Sequence, residues 1–436
     1  MLRDAILMQK KEIEWRLLEP YVKRDLDVGP TDNDLIKAVL GPRRAGKSFF
    51  AMHLVKELGP FGYVNFDDER LVATEDYDEL IAAVDEVYSR PKQLLLDEVQ
   101  NLPRWELLVN RLQRQGYRLT VTGSNAHLLS SELATHLTGR HLPIVMFPFT
   151  FSEHLRALGG EATGAEKSQA LRTYAESGGY PEPLLKNVSR REYLTAMLHS
   201  VLYKDIVARH RIRTPQGLDD LAAWLMSNVA QRYSLNRLAE VTRLKSVHSV
   251  EKYLRHLAEA FLFFPVRRFS FKVGEQARAN PKAYCIDNGL VMATAFRASP
   301  DAGKLYENLA AIALRRRQLA GRLELFYWQG ARQEEVDFVV KQGTQIVQLI
   351  QVCLDPEAPK AGAREVRALL SASAELGCKN LLVLTDSKEG REDVSWFGTE
   401  GTVRFQPLWK WLLEDGAGAG AGATEDQPPS TSEARG

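Results

Sequence analysis

Cysteine and long apolar runs are scarce in this chain. Its 436 residues include three cysteines, an odd number without a C-x-x-C pair, which fits reduced thiols better than a disulfide framework or a zinc site. No run approaches the roughly 18 uncharged apolar residues that a membrane helix needs. The first residues are too charged for a secretory signal. These absences predict a cytoplasmic protein without a membrane partner.

An excess of one charge is also missing. Lys and Arg number 57 against 56 Asp and Glu, a net charge of +1, so the whole molecule has no general attraction to nucleic acid or anionic lipid. The hydrophobic share of 44% and charged share of 26% are typical of globular proteins. The length is enough for two or three domains.

Alternating strand and helix patterns predict an α/β fold with a parallel sheet covered on both faces. A helical stretch and a second α/β pattern follow, and the chain ends in a segment rich in Gly, Pro and Ser that we expect to be disordered. The expected units are a helical lead-in (1–34), a P-loop core (35–155), a helical lid and winged-helix region (156–275), an α/β domain (281–413) and a disordered tail (416–436).

A glycine-rich segment follows the first predicted strand and opens a helix. It matches G-x-x-x-x-G-K-[ST], the P-loop pattern, in which backbone N–H groups surround phosphates, the lysine neutralises them and the final hydroxyl binds Mg²⁺. We therefore expect ATP and Mg²⁺ as cofactors. The residues are Gly41, Pro42, Arg43, Arg44, Ala45, Gly46, Lys47 and Ser48.

Acidic and small polar residues end two later predicted strands. Asp97 and Glu98 close LLLDEVQ, where Asp97 would hold Mg²⁺ through water and Glu98 would orient and deprotonate the attacking water; alone, the pair could simply start a helix. Ser124 and Asn125 end RLTVTGSN and could touch the γ-phosphate, or merely form a turn. Arg140 is a candidate arginine finger for a neighbouring subunit, or a plain surface arginine.

The segments GPRRAGKS, LLLDEVQ, TGSN, LTGR, FPFTFSE and SGGYPEP together resemble those of prokaryotic, especially archaeal, AAA+ ATPases that carry an uncharacterised C-terminal domain. The resemblance runs from about residue 34 to 390. It implies the sheet order 5-1-4-3-2, a sensor role for Ser124 or Asn125 and a finger role for Arg140. It also implies a homo-oligomeric ring, for which a hexamer is the expected size.

Residues 184–280 contain 17 Lys and Arg but only 8 Asp and Glu, a local net charge of +9. Within them, two predicted helices capped by Ser234 and Ser246 suggest a helix-turn-helix, with FLFFPVRRFSF as a wing. The second helix would turn its polar face to DNA; alternatively, the unit is a lid or a subunit contact. The candidate DNA-binding residues are Lys245, His248, Ser249, Lys252 and Arg255.

The last α/β pattern has the residue order of a PD-(D/E)xK nuclease core. Glu307 lies in a predicted helix and Asp337 in a predicted strand, but the E-x-K pair reads Gln351-x-Cys353. Since metal-dependent cleavage needs carboxylates and a lysine, we expect a degenerate domain that does not cut DNA.

These features together predict an AAA+ ATPase that couples Mg-ATP hydrolysis to DNA binding and remodelling, with helicase or translocase action on forked or branched DNA as its mechanical form. The alternative is a regulatory NTPase that acts through protein partners in defence or toxin control.

Overall fold

The computed structural model describes residues 2–29, 33–72, 74, 76–125, 140–244, 246–294, 301–357, 361–396 and 398–417. The expected disordered tail lies outside these ranges, except for residues 416 and 417, which end the last helix. Lys245 and the predicted helix HLLSSELATHL also lie outside them. Across the described residues, no helix combines the length and the apolar character needed to span a membrane.

The N-terminal part is a five-stranded parallel sheet flanked by helices. The strand order β2-β3-β4-β1-β5 confirms the predicted order 5-1-4-3-2. The strands are β1 Ile36–Leu40, β2 Gly62–Asn65, β3 Gln93–Asp97, β4 Arg118–Gly123 and β5 His141–Val145. The helices are α1 Leu2–Arg16, α2 Lys47–Glu57, α3 Glu69–Val72, α4 Tyr77–Tyr88 and α5 Trp105–Arg114.

Both faces of this sheet are buried, which explains the unbroken apolar strands. In β3, Leu94 and Leu96 pack in the core that includes α4 and α5, whereas Leu95 between them packs against α2 on the other face. Because alternate side chains of a strand point to opposite faces, a strand buried on both faces has no polar alternation. The carboxyl ends of the strands meet at one edge of the sheet.

Helices dominate the middle of the chain. They are α6 Phe151–Ala157, α7 Gly164–Ser177, α8 Pro181–Leu185, α9 Arg190–Ser200, a π-helix Val201–Ala208, α10 Pro215–Ser227, α11 Leu235–Val241, α12 Val247–Glu259, α13 Val273–Arg278 and α14 Asn288–Thr294. The predicted caps are confirmed, because the Ser234 and Ser246 side chains accept hydrogen bonds from the backbone N–H groups of Arg237 and Ser249.

A second sheet of nine strands spans the rest of the chain, in the order β13-β14-β12-β11-β10-β9-β7-β8-β6. Its strands are β6 Gln231–Arg232, β7 Phe263–Arg268, β8 Lys282–Cys285, β9 Glu324–Gln329, β10 Glu335–Gln342, β11 Gln345–Val352, β12 Leu381–Thr385, β13 Gly390–Trp396 and β14 Thr399–Pro407. The remaining helices are α15 Ala302–Leu319, α16 Ala361–Leu376 and α17 Leu408–Ala417.

The segment predicted to form a wing, FLFFPVRRFSF, contains β7, which is an interior strand of the nine-stranded sheet. β7 pairs with β8 on one side and, in parallel, with β9 on the other. The sheet thus runs across residues 275–281, where the sequence suggests a boundary between domains. The short β6 and the solvent-exposed β13 are its two outer strands.

A buried carboxylate joins the SGGYPEP segment to the C-terminal part. Asp287 accepts hydrogen bonds from the backbone N–H of Gly179, at 2.6 Å, and of Gly289, at 2.8 Å. A Cβ atom at Gly178 would lie 2.1 Å from the Asp287 carboxylate, so only glycine fits this approach. Burial raises the pKa of Asp287 to about 7.

Candidate functional site

The P-loop connects the carboxyl end of β1 to the start of α2, as predicted. Gly46 precedes Lys47 with φ 91°, a left-handed conformation that favours glycine. A Cβ atom at Gly41 would lie 2.0 Å from the carbonyl oxygen of Met146, just after β5, so a side chain there is excluded. The loop leads directly into the N-terminus of α2, which is an anion-binding position.

Three hydroxyl groups surround the buried carboxylate of Asp97. Ser48 Oγ donates to Oδ1 at 2.9 Å, and Tyr63 Oη donates to Oδ2 at 3.0 Å. Thr122 Oγ1 also donates to Oδ1. Burial and the charge of Glu98 raise the pKa of Asp97 above its ordinary value, against the effect of the three hydroxyls. The two predicted magnesium residues, Ser48 and Asp97, are thus in direct contact.

Glu98 faces the P-loop lysine. Its Oε1 lies 3.7 Å from Lys47 Nζ, and its Oε2 accepts hydrogen bonds from Ser124 Oγ, at 3.1 Å, and from Gln100 Nε2. Burial opposes ionisation, but Lys47 and these two hydrogen bonds outweigh it and hold the pKa of Glu98 below its ordinary value. Glu98 is therefore an ionised carboxylate fixed at the P-loop. Its left-handed backbone, with φ 52°, is uncommon for a residue with a side chain.

Two P-loop arginines contact the helical region. Arg43 forms a bidentate pair with Asp205 of the π-helix, from Nε at 3.0 Å and Nη2 at 3.1 Å. Arg44 Nη1 lies 3.5 Å from a carboxylate oxygen of Glu182, at the start of α8. The sequence predicts neither contact, since Asp205 lies 162 residues beyond Arg43.

A third arginine supports the loop from the N-terminal lead-in. The buried Arg24 donates to the carbonyl oxygen of Ala45 at 2.9 Å and forms an ion pair with the buried Glu153 at 2.9 Å. The sequence predicts a helical lead-in over residues 1–34, but the helix ends at Arg16, and Arg24 lies in the irregular segment that follows, so its role is missed.

The structure separates Arg140 from the P-loop of its own chain. The Arg140 carbonyl accepts a hydrogen bond from Ile36 N–H at 3.0 Å, at the amino edge of the sheet. The P-loop lies at the carboxyl edge, one five-residue strand or about 16 Å away. Arg140 is exposed there. Asn125 ends the described stretch that follows β4, next to the buried Ser124.

The predicted DNA-binding face is exposed in part. His248, Lys252 and Arg255 are exposed on α12, and Ser249 is half-buried. Lys245 lies outside the described residues. The opposite face of α12 packs into the core through Val250 and Leu257.

A second charged cluster lies in the C-terminal part, where three carboxylates surround one buried lysine. Lys282 Nζ lies 2.9 Å from Glu307 Oε1, 2.7 Å from Glu335 Oε1 and 2.9 Å from Asp337 Oδ1. Burial opposes its charge, but the carboxylates, led by Asp337 and Glu307, raise the pKa of Lys282 well above its ordinary value. Sequence reasoning finds Glu307 and Asp337 but seeks their ammonium at position 353. The structure supplies it from β8.

The remaining residues of that pattern also meet. The Gln351 side-chain oxygen accepts from the Asp337 backbone N–H at 3.1 Å, and its amide donates to Glu365 at 2.6 Å. Cys353 is buried, and burial raises the pKa of its thiol to about 11, so it contributes no charge.

A P-loop, two strand-end acids and the sheet order β2-β3-β4-β1-β5 define a nucleotide-binding AAA domain. Residues 33–155 match the family described as an AAA domain, while residues 168–301 and 302–399 match two domains of unknown function, DUF8612 and DUF4143. The chain is 31% identical over 433 residues to the uncharacterized protein MJ1544 of Methanocaldococcus jannaschii, covering 95% of both chains. The chain therefore belongs to the same family as this archaeal protein.

Other similarities are more distant. An uncharacterized protein of Haemophilus influenzae is 27% identical over 343 residues, covering 74% of this chain and 84% of the relative. The Walker-type ATPase Paby2304 of Pyrococcus abyssi is 15% identical with a TM-score of 0.39, covering 65% of this chain and 95% of its own. AMPPCP-bound DnaA from Aquifex aeolicus is 14% identical with a TM-score of 0.27, covering 58% and 87%.

The carboxylate cluster yields a prediction about stability. Replacing Lys282 by Met should lower the free energy of unfolding by about 3–5 kcal/mol, because it leaves buried carboxylates without their ammonium. Urea denaturation measures the change. Lys379→Met, at an exposed lysine, is the matched control.

Removing the charges of two carboxylates together with that of Lys282 should restore part of the lost free energy of unfolding. The triple variant Lys282→Met, Glu307→Gln, Asp337→Asn should be more stable than Lys282→Met alone. Equal stability of Lys282→Met and the control would show that the ammonium does not hold the cluster together.

Proposed function

We propose that this protein hydrolyses ATP with Mg²⁺ and couples the reaction to work on DNA. The observation that supports hydrolysis is the position of Glu98. An ionised carboxylate lies beside the P-loop lysine and is oriented by Ser124. A site that only bound nucleotide would not need a base at this position.

The donor set fits the cofactor. The P-loop leads into the N-terminus of α2, where phosphate would bind, and the Ser48 hydroxyl and Asp97 carboxylate are hard oxygen ligands suited to Mg²⁺. Bound there, Mg²⁺ would offset the charge of the phosphate oxygens. Lys47 neutralises the same oxygens, and Glu98 orients the attacking water and accepts its proton.

The arginine contacts offer a route from nucleotide to the helical region. The positive charge of Arg43 helps to lower the pKa of Glu98, and its guanidinium binds Asp205. A γ-phosphate would compete with Asp205 for this guanidinium, since Arg binds phosphate and carboxylate in the same bidentate way. ATP binding and hydrolysis would then weaken and restore the Arg43–Asp205 pair, and so change the contact between the P-loop and the π-helix.

DNA is the proposed partner of the helical region. From α10 to β8 the elements follow the order helix, strand, helix, helix, strand, helix, strand, which is the order of a winged helix with the short helix α13 inserted between its last two strands. Lys252 and Arg255 are exposed on its second inner helix and would contact phosphates.

One observation favours the alternative of a regulatory NTPase with protein partners. The strand in the wing position is paired on both sides within the nine-stranded sheet, so it cannot enter a DNA groove as a free hairpin. We also propose that the nuclease-like domain does not cut DNA, because Lys282 Nζ lies among the carboxylates that would bind a metal. Stimulation of ATPase activity by DNA would separate DNA work from regulation.

The ATPase assignment predicts different effects for two residues. Lys47→Ala should weaken nucleotide binding, because it removes the charge that neutralises phosphates. Glu98→Gln should keep binding but lower kcat at least about 100-fold, because it removes the base while keeping its shape. Steady-state phosphate release and fluorescent-nucleotide titration measure both quantities.

Glu69→Gln, at an exposed glutamate on α3, is the control and should leave both quantities unchanged. Normal turnover in Glu98→Gln would refute its role as the base.

We also propose that the chain assembles into the homo-oligomeric ring that the family resemblance implies, in which Arg140 acts across the interface between two subunits. Arg140→Ala and Glu98→Gln should each be inactive alone, but mixed assemblies should recover activity, because some interfaces then pair an intact finger with an intact base. Phosphate release is measured across mixing ratios, with assembly checked by light scattering. Failure to recover at every ratio, with assembly intact, would count against a finger in trans.

The DNA proposal predicts a change in salt dependence. Replacing Lys245 and Lys252 together by Glu should weaken binding to all sequences and reduce the slope of log K against log salt by about 0.9 for each phosphate that is no longer neutralised. Fluorescence anisotropy with single-stranded, duplex, forked and four-way DNA measures the slope. Lys11→Glu, at an exposed lysine on α1, is the control. A slope equal to that of the wild type would place the DNA-binding surface elsewhere.

A further inference from the structure

Two histidines and a glutamate meet where α12 crosses the end of the π-helix. His256 and Glu259 lie three residues apart in the last turn of α12, and His210 follows the π-helix by two residues. One ligand atom from each side chain lies within 4.8 Å of the others. The expected function uses none of these residues, and the predicted metal ligands lie elsewhere, at Ser48 and Asp97.

The distances are close to those of a shared metal ion. His256 Nδ1 lies 3.1 Å and His210 Nε2 lies 3.9 Å from the same oxygen, Glu259 Oε2. A tetrahedral zinc ion with bonds of about 2.1 Å places its ligand atoms about 3.4 Å apart. The other carboxylate oxygen, Oε1, faces Arg255 at 3.9 Å, which leaves Oε2 directed to the histidines.

We propose that His210, His256 and Glu259 bind one transition-metal ion, with Zn²⁺ as the favoured species. Imidazole and carboxylate together suit zinc, nickel and copper, whereas Mg²⁺ prefers oxygen ligands alone. Two histidines and one glutamate form a known zinc ligand set that leaves a fourth position for water. The His210 side chain is 24% exposed, so water reaches this position.

Binding requires one movement. The two imidazole rings stack, with centroids 3.7 Å apart and planes 22° apart. Because a ring nitrogen binds a metal in the plane of its own ring, one ring must turn out of the stack. His210 can turn, since it lies at a helix end and is partly exposed, whereas His256 is buried in α12.

A metal here would join two functional parts of the chain. His210 follows the π-helix that carries Asp205, the partner of Arg43 in the P-loop, and His256 and Glu259 belong to α12. The ion would hold the C-terminal end of α12 against the segment that contacts the nucleotide site. This role does not depend on whether ATP is hydrolysed.

The test uses the full chain without an affinity tag, stripped with EDTA and dialysed, in the absence of nucleotide. Calorimetric titration with Zn²⁺ should give one equivalent per chain, and Co²⁺ should give visible d–d absorption. His210→Ala and Glu259→Gln should each weaken Zn²⁺ binding at least about 10-fold, since even changes around the ligands cost that much. Added Mg²⁺ should neither displace Zn²⁺ from this cluster nor change the Co²⁺ absorption, because Mg²⁺ prefers oxygen ligands alone.

His248→Ala is the matched control, because His248 is an exposed histidine on the same helix outside the cluster. It should bind Zn²⁺ as the wild type does, and far-UV circular dichroism checks that all variants fold. Equally weakened binding in His248→Ala and His210→Ala would overturn the assignment. Absence of Zn²⁺ binding by the folded wild type would also overturn it and leave a stacked histidine pair with His256 hydrogen-bonded to Glu259.

Discussion

The carboxylate of Asp287 joins the helical region that follows the AAA domain to the C-terminal part of the chain. It is buried between the SGGYPEP segment and α14. It accepts hydrogen bonds from the backbone N–H groups of Gly179 on one side and Gly289 on the other. Asn288 extends the contact by donating to the carbonyl oxygens of Ala175 and Leu305. Each bond is individually modest, but leaving any of these buried groups unpaired would cost more than the bond contributes. These bonds therefore join the helical region around Gly179 to the start of α14, next to β8 of the nine-stranded sheet.

Features that depend on neighbouring residues are predictable. The P-loop is a contiguous eight-residue pattern, and its position between strand and helix follows from hydrophobic periodicity. Asp97, Glu98 and Ser124 are found because parallel strands bring their carboxyl ends to one edge. The caps Ser234 and Ser246 are likewise local signals. The hairpin of β13 and β14 escapes prediction, because the exposed β13 has few apolar residues to mark it.

Features that depend on distant residues are not predictable. Lys282 lies 55 residues before Asp337, and its strand is too short to show what it faces. His210 and His256 meet only because α12 folds back on the π-helix. Arg24 donates to the carbonyl oxygen of Phe147, 123 residues away, and also to that of Ala45 in the P-loop. In each case a buried charge or ring finds its partner through tertiary packing, which periodicity does not describe.

The ends of the nine-stranded sheet limit how copies of this chain can associate. An outer strand with free N–H and C=O groups is a template for pairing with another sheet. One outer strand here, β6, has only two residues, which is too short for a stable ladder. The other, β13, carries Arg391, Glu392 and Asp393 in its exposed sequence GREDVSW, and charged side chains on an edge strand disfavour pairing with another sheet. Neither outer strand therefore favours pairing with the sheet of another molecule. This disfavours edge-to-edge aggregation of the nine-stranded sheet.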